Sequence, residues 1–217
     1  MLAYRDTKPP SATEYYVILN WPMSLCHTRS FPTTAITPNS TSPHHPYSNI
    51  SNTFRQIKMF LALIAELAGV TNLRPNDSED SPYYYTFKVQ CTSCRETHPN
   101  WVGVSKYDTN EISGSRGEAN FVWKCKNCKR EHSANIKTKA TPYEQSEPAK
   151  RQNIIELECR GLEFVEFKPD GEWLCEGLES GTKFTGVELS DGEWFDYDEK
   201  AGEEVSIQRL TWEIRRT

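Results

Sequence analysis

Four cysteines in two C-x-x-C pairs are the residues of this sequence best suited to chemistry. They are Cys91 and Cys94 and, after a long interval, Cys125 and Cys128. A tight turn over each pair, here called a knuckle, directs two thiolates toward one point. Two knuckles together supply the four sulfur ligands of a tetrahedral zinc site. The spacing therefore predicts one Zn²⁺ bound by these four cysteines.

A site closed by four cysteines predicts a structural role for the metal. Because protein sulfurs fill all four positions, none remains for a reacting water, so we expect structural zinc and no enzymatic activity. His98 and His132 each lie four residues after a knuckle, and with four cysteines present we expect them to be surface or loop residues. Basic residues that would offset the charge of the thiolates surround both pairs: Arg95, Lys124, Lys126, Lys129 and Arg130.

Two alternative functions use other features of the chain. A thiol oxidoreductase of the methionine-sulfoxide-reductase type, whose β folds also carry zinc on two C-x-x-C pairs, would need a further reactive cysteine. Within the body only Cys159 and Cys175 are available, since Cys26 lies near the N-terminus. Nucleic-acid binding would use the basic second knuckle, residues 124–130, through contacts with phosphate.

Charge is unevenly distributed along the chain. Residues 1–58 have a net charge of +3, whereas residues 152–217 hold seven Lys or Arg against seventeen Asp or Glu, a net charge of −10. An acidic segment repels phosphate, so a nucleic-acid partner is disfavoured. We predict a protein partner, and we expect the chain itself to be a monomer. Trp101, Trp173 and Trp194 are candidates to line a groove for that partner.

The cellular setting follows from the cysteines and from hydropathy. An odd number of cysteines that includes C-x-x-C pairs fits a reducing compartment, which predicts the cytoplasm, with the nucleus as the alternative. No apolar run approaches the length of a membrane span, so no membrane association is expected.

Alternating apolar, aromatic and β-branched residues predict an all-β fold. Residues 1–55, rich in Pro, Ser and Thr, are predicted to be a disordered tail or a gene-model extension. Residues 56–217 form the predicted zinc-binding β domain, with a first half of about 56–145 that carries the knuckles and an acidic second half of about 152–217 without zinc. Strands are expected at residues 60–71, 83–90, 101–105, 119–124, 135–140, 154–159, 162–167, 173–175, 183–189, 193–198 and 205–214. A weak internal repeat relates the strand before Cys91 to the strand before Cys159.

Several motifs in fixed order resemble one family. They are Gly69-Val-Thr-Asn-Leu-Arg-Pro75, Cys91-x-x-Cys94, Ser113-Gly-Ser-Arg-Gly117, Lys124-Cys-Lys-x-Cys-x-Arg-Glu131, Glu158-Cys-Arg-Gly-Leu-Glu163, Glu179-Ser-Gly-Thr182 and Trp194-Phe-Asp-Tyr-Asp-Glu-Lys200. From about residue 56 to the C-terminus the chain resembles the eukaryotic CXXC-motif-containing zinc-binding proteins, whose biochemical activity is not established. The resemblance implies a multi-sheet body with mixed sandwich and barrel features, two related halves, and one zinc on Cys91, Cys94, Cys125 and Cys128.

Overall fold

The alternating pattern of the sequence produces a body built from strands. The computed structural model describes residues 56–217, and within that range it has fourteen strands and no helix, so the predicted all-β fold is confirmed. The predicted tail lies outside the described residues. The strands are β1 (Gln56–Ala68), β2 (Val70–Pro75), β3 (Tyr85–Cys91), β4 (Val102–Val104), β5 (Asn110–Glu111), β6 (Glu118–Ala119), β7 (Phe121–Lys124), β8 (Glu131–Ile136), β9 (Gln152–Arg160), β10 (Leu162–Lys168), β11 (Glu172–Gly177), β12 (Lys183–Glu188), β13 (Trp194–Asp198) and β14 (Glu203–Arg216).

The apolar stretch at residues 60–71 is extended, as predicted, but Gly69 divides it between β1 and β2. Gly69 has a φ of 70°, a left-handed conformation that glycine adopts without steric cost. A Cβ at this position would also approach Val205 Cγ1 to 2.7 Å. The glycine therefore lets the chain turn from one sheet into another where β14 passes close by.

The strand expected at residues 135–140 is placed differently in the structure. β8 begins at Glu131, directly after the second knuckle, and ends at Ile136. Its bounds are set by pairing with β7 on one side and β9 on the other, which the local sequence does not encode. Because of this shift, the residues that follow the knuckle lie inside the sheet and not in a loop.

The largest sheet joins strands from both halves of the sequence. Its order is β13-β14-β1-β9-β8-β7. β1 lies between β14 and β9 and pairs antiparallel with both. The two sequence halves therefore share one sheet. Separately, no helix within residues 56–217 is long and apolar enough to cross a membrane.

An aromatic cluster connects this sheet with the two three-stranded sheets, β10-β3-β4 and β12-β11-β2. Phe87 on β3 and Phe164 on β10 have ring centroids 4.4 Å apart. Trp212 on β14 contacts both Phe167 at 4.8 Å and Trp173 at 5.3 Å. Aromatic rings contribute large buried apolar areas, so this cluster helps to pack the sheets together.

The three tryptophans predicted to line a groove lie in different surroundings. Trp173 is fully buried in the aromatic cluster. Trp194 packs edge-on against Phe184, with ring centroids 5.5 Å apart. Trp101 is exposed, and Lys88 Nζ lies over its ring at 5.1 Å. For Trp173 the prediction was wrong, because this indole ring is stabilised by burial and cannot reach a partner. For Trp101 and Trp194 it stays a prediction.

The two halves repeat the same series of strands. The series β1, β2, β3, β4, β7, β8 corresponds to β9, β10, β11, β12, β13, β14. Gly161 separates β9 from β10 with a φ of 78°, as Gly69 separates β1 from β2. The second strand of each copy pairs with the third strand of the other copy: β2 pairs with β11, and β10 pairs with β3.

Backbone hydrogen bonds show which residue of the second half corresponds to which residue of the first. The Thr92 N–H donates to the Gly161 carbonyl at 3.0 Å, and the Leu178 N–H donates to the Gly69 carbonyl at 2.8 Å. Residue 177 is therefore the counterpart of residue 91. The predicted match between the strands before Cys91 and Cys159 was wrong. β3 is the third strand of the first copy, whereas β9 is the first strand of the second.

Candidate metal centre

The first knuckle is a tight turn at the end of β3. The Cys91 N–H donates to the Glu96 carbonyl at 2.9 Å, and the Arg95 N–H donates back to the Cys91 carbonyl at 2.9 Å. Arg95 closes the turn with a φ of 61°. These bonds hold Cys91 and Cys94 on the same side of the turn.

The second knuckle has the same geometry and joins β7 to β8. The Cys125 N–H donates to the Arg130 carbonyl at 2.9 Å, and the Lys129 N–H donates to the Cys125 carbonyl at 3.0 Å. Lys129 has a φ of 60°, a conformation that is uncommon for a side chain of this length. The turn geometry of the C-x-x-C spacing is thus repeated in both places.

The fold brings all four cysteine sulfurs together. The Sγ atoms lie within 4.8 Å of one another. Cys91 Sγ and Cys128 Sγ are 3.6 Å apart, as are Cys94 Sγ and Cys125 Sγ. In a tetrahedral site with Zn–S bonds of ~2.3 Å, neighbouring sulfurs are about 3.8 Å apart. The cluster therefore has the donor set and the dimensions of a four-thiolate metal site.

Backbone amides act on the outer cysteine of each knuckle. The Glu96 N–H bonds to the Cys94 sulfur and is the main reason that the pKa of this thiol is lowered to about 7. The Arg130 N–H acts in the same direction on Cys128, but burial and the three other sulfurs outweigh it and raise that pKa to about 11. Amide donors favour the thiolate, which is the form that binds a metal.

His132 supports the cluster from inside the body, although we expected a surface or loop residue. Its side chain is buried, and its Nε2 lies 3.2 Å from Cys91 Sγ. Burial lowers its pKa and so favours the neutral ring. With its proton on Nε2, the ring donates to the sulfur. Alternation along β8 indicates this position, because His132 shares its face with the buried Ala134 and Ile136.

Gly161 leaves room for the His132 ring. A Cβ on Gly161 would overlap His132 Nδ1. On its other side the ring packs against Trp123, with centroids 5.6 Å apart. His98 stacks on Trp123 as well, at 5.8 Å, but it is not among the residues of the sulfur cluster.

The two remaining cysteines of the described range are in the core and are not members of the sulfur cluster. Cys159 is fully buried, and burial is the first cause that raises its pKa to about 12. Cys175 is buried as well, and desolvation likewise raises its pKa to about 12. Buried thiols with raised pKa values carry little of the reactive thiolate at neutral pH.

The repeat places a second pair of turns where the second half would carry its own metal site. The Gly177 N–H donates to the Thr182 carbonyl at 2.8 Å, and the Gly181 N–H donates to the Gly177 carbonyl at 3.0 Å. The Gly202 N–H donates to the Asp198 carbonyl at 2.7 Å. These three bonds correspond to three of the four that close the knuckles. The four positions that correspond to the cysteines are Gly177, Ser180, Asp198 and Ala201.

A carboxylate joins these two turns in place of a cluster of sulfurs. The Ser180 hydroxyl donates to Asp198 Oδ2, and the Thr182 hydroxyl donates to Asp198 Oδ1 at 2.9 Å. The backbone N–H groups of Lys200 and Ala201 also donate to Oδ1, at 3.0 and 3.2 Å. These donors, Ser180 first, lower the pKa of Asp198. Sequence reasoning missed this site because a serine and an aspartate in turns are common on any surface.

Several known proteins are similar to the part of the chain that the structure describes. Residues 60–215 match the profile of the family described as "CXXC motif containing zinc binding protein, eukaryotic". A UPF0587 protein of Schizosaccharomyces pombe is 49% identical over 159 residues, which cover 73% of this chain and 98% of that protein. The human CXXC motif containing zinc binding protein is 41% identical and is matched over 71% of this chain and 95% of its own length. The crystal structure of C1orf123 has a TM-score of 0.66 at 40% identity and covers 74% of this chain and 99% of its own.

Proposed function

Because the chain belongs to the eukaryotic CXXC motif containing zinc binding proteins, we propose that its four clustered cysteines hold one structural Zn²⁺ in a non-enzymatic module that binds another protein. The metal would join the turn that ends β3 to the turn that joins β7 to β8. Those elements belong to two different sheets. A structural zinc typically contributes ~10–16 kcal/mol of apparent binding free energy, which is folding free energy for the elements it joins.

The observation that carries this proposal is the closure of the sulfur cluster. All four donors come from the protein and lie within 4.8 Å of one another. A zinc ion there would have no position for water or substrate, and catalytic zinc requires one. His132 behind Cys91 is a hydrogen-bonding support of the kind that orients metal ligands.

The positions of the other thiols disfavour thiol redox catalysis. An oxidoreductase of the methionine-sulfoxide-reductase type needs a cysteine that its substrate can reach. Cys159 and Cys175 are both buried and both have raised pKa values, the opposite of a reactive thiol.

The charge distribution favours a protein partner over nucleic acid. The exposed basic residues at the second knuckle are Lys124, Lys126, Lys129 and Arg130. They are few, and residues 152–217 carry a net charge of −10 on the same body. Phosphate binding needs a positive surface that extends over several contacts. A short basic turn next to an acidic half does not offer one.

The proposal is tested by metal stoichiometry together with partner binding. Native mass spectrometry should find one zinc per chain, lost in Cys91→Ser and Cys125→Ser but retained in the matched core variant Cys159→Ala. Removal of the metal by a chelator should unfold the protein. Cross-linking in cells followed by titration of the purified pair should give saturable binding to one protein.

Three results would overturn the proposal. The first is a folded protein without metal and with reactive thiols. The second is turnover of a sulfoxide substrate that Cys159→Ala abolishes. The third is binding to mixed DNA or RNA that rising salt weakens steeply.

A further inference from the structure

β13 forms one border of the six-stranded sheet and has an open edge. On one side it pairs antiparallel with β14, from Trp194 opposite Ile207 to Asp198 opposite Glu203. On its other side no strand of residues 56–217 pairs with it. An open edge presents backbone N–H and C=O groups that can pair with an additional strand.

Two large side chains on β13 are more exposed than the other large apolar residues of the described range. Phe195 is 59% exposed and Tyr197 is 52% exposed. Because side chains alternate along a strand, these two rings lie on one face of the sheet. Trp194 lies on the opposite face and packs against Phe184. The strand is thus fixed to the body by one face and presents two aromatic rings on the other.

The backbone of the aromatic positions faces the open edge. The Tyr197 N–H donates to Asp196 Oδ1 at 2.8 Å and is therefore not paired with β14. In an antiparallel strand, alternate residues direct their backbone groups to the same side, so Phe195 faces outward together with Tyr197. The Asp196 carboxylate covers the outward amide, and a charge placed there discourages unselective edge pairing.

The charge around this edge is strongly negative. Residues 191–204 contain seven acidic residues and one lysine. Asp198 is engaged with Ser180 and Thr182, but none of the other six carboxylates takes part in an ion pair within the described part of the chain. The six are Asp191, Glu193, Asp196, Glu199, Glu203 and Glu204.

We infer that the outer edge of β13 binds an extended segment of a partner protein in which Lys or Arg alternates with apolar residues. The segment would add a strand to the sheet through the backbone of Phe195 and Tyr197, as in β-strand addition. Its apolar side chains would lie on the two aromatic rings. One of its cations would pair with Asp196, which frees the Tyr197 N–H to donate to the incoming strand. The inference rests on the proposed protein-binding function and names the class of partner.

The experiment uses the full chain and a labelled short peptide that alternates lysine with valine. Fluorescence anisotropy measures binding, and amide hydrogen exchange at Phe195 and Tyr197 reports strand addition. One control peptide replaces lysine by glutamate, and a second replaces alternate valines by proline, which removes N–H donors. Neither control peptide should bind, and rising salt should weaken binding of the lysine peptide.

Variants of the chain separate the edge from the rest of the surface. Phe195→Ser with Tyr197→Ser, and separately Asp196→Lys, should each weaken binding by about tenfold or more, as expected for a central contact. Leu178→Ser, at an apolar residue that is 47% exposed, is the matched control for the aromatic pair. Glu111→Lys, on the exposed strand β5, has the same change of charge as Asp196→Lys and should leave binding unchanged. Thermal unfolding confirms that each variant is folded.

Several outcomes would overturn the inference. Absence of binding, equal binding of the glutamate peptide, or equal affinity in the edge variants and their controls would each contradict it. Slow amide hydrogen exchange at Phe195 and Tyr197 in the free protein would also contradict it. If this protection is independent of protein concentration, another segment of this chain covers the edge. If the protection rises with concentration, a second copy covers it. If a cellular partner still binds the Phe195→Ser, Tyr197→Ser chain, the edge is not its site and the proposed function stands.

Discussion

Asp198 occupies in the second half of the molecule the position that Cys125 occupies in the first. Each residue begins a turn closed by an N–H···O bond from the fourth residue after it, Gly202 in one case and Lys129 in the other. At Cys125 the side chain meets three other sulfurs. At Asp198 it meets two hydroxyls and two backbone amides. The same pair of turns is thus held together in two chemically different ways.

A second metal site should form if the cysteine pattern is restored in the second half. We expect a chain with Gly177→Cys, Ser180→Cys, Asp198→Cys and Ala201→Cys to bind two zinc ions per molecule, measured by native mass spectrometry. A Cβ at Gly177 points at Ser180 Oγ and Asp198 Oδ2, the two groups that this variant replaces. The same four positions changed to serine are the control and should leave one zinc. A stoichiometry of one in the cysteine variant would show that the turns are not equivalent.

Asp198 should make stability depend on pH in the acidic range. Its pKa is lowered in the folded protein, so it stabilises the fold above its unfolded pKa of about 3.9 and loses that contribution as the pH falls through the lower folded value. Asp198→Asn should therefore lose less stability on acidification than the parent chain, measured by urea unfolding at several pH values. Metal loss in acid affects both chains and cancels in the difference.

The control for this measurement is Glu199→Gln, which changes an exposed neighbouring carboxylate. Its acid dependence should follow that of the parent chain. An Asp198→Asn curve that also follows the parent would contradict the assigned role of the carboxylate.

Gly161→Ala should destabilise the half of the body that carries the four cysteines, because the added Cβ overlaps the His132 ring. Alanine at a left-handed position costs about 1–2 kcal/mol, and overlap with a buried ring costs typically ~1–3 kcal/mol more. Gly192→Ala is the matched control, because Gly192 has a similar φ of 84° but a Cβ added there would have no atom within 4 Å. Urea unfolding should show a larger loss for Gly161→Ala. Equal losses would mean that the His132 ring moves away freely.

His132 should tune the affinity of the metal site although it is not a ligand. Loss of a supporting hydrogen bond to a ligand typically lowers metal affinity by about 10–100-fold. We expect His132→Ala to release zinc to a competing chelator at lower chelator concentration than the parent chain. His98→Ala removes a ring that also stacks on Trp123 but does not contact a sulfur, so it should behave like the parent. Equal release from His132→Ala and the parent would remove His132 from the site.

Local sequence determined most of the strands and both knuckles. The alternation at residues 83–90 and 154–159 indicates strands because side chains on a strand point alternately to two faces, and β3 and β9 lie there within two residues at each end. The C-x-x-C spacing indicates the knuckles because one turn of fixed geometry brings both sulfurs to the same side. These features depend on residues close together in the chain, so they can be read without the fold.

The tertiary structure alone decided which distant residues meet. It placed His132 against Cys91, exchanged β2 and β10 between the repeats, and matched Asp198 with Cys125. It also buried Trp173, which we expected in a binding groove, and exposed Phe195 and Tyr197 at a sheet edge. The reason is physical: strand pairing and burial arise from contacts between segments far apart in sequence, and the alternating pattern that favours a strand is the same whether that strand lies at the centre of a sheet or at its edge.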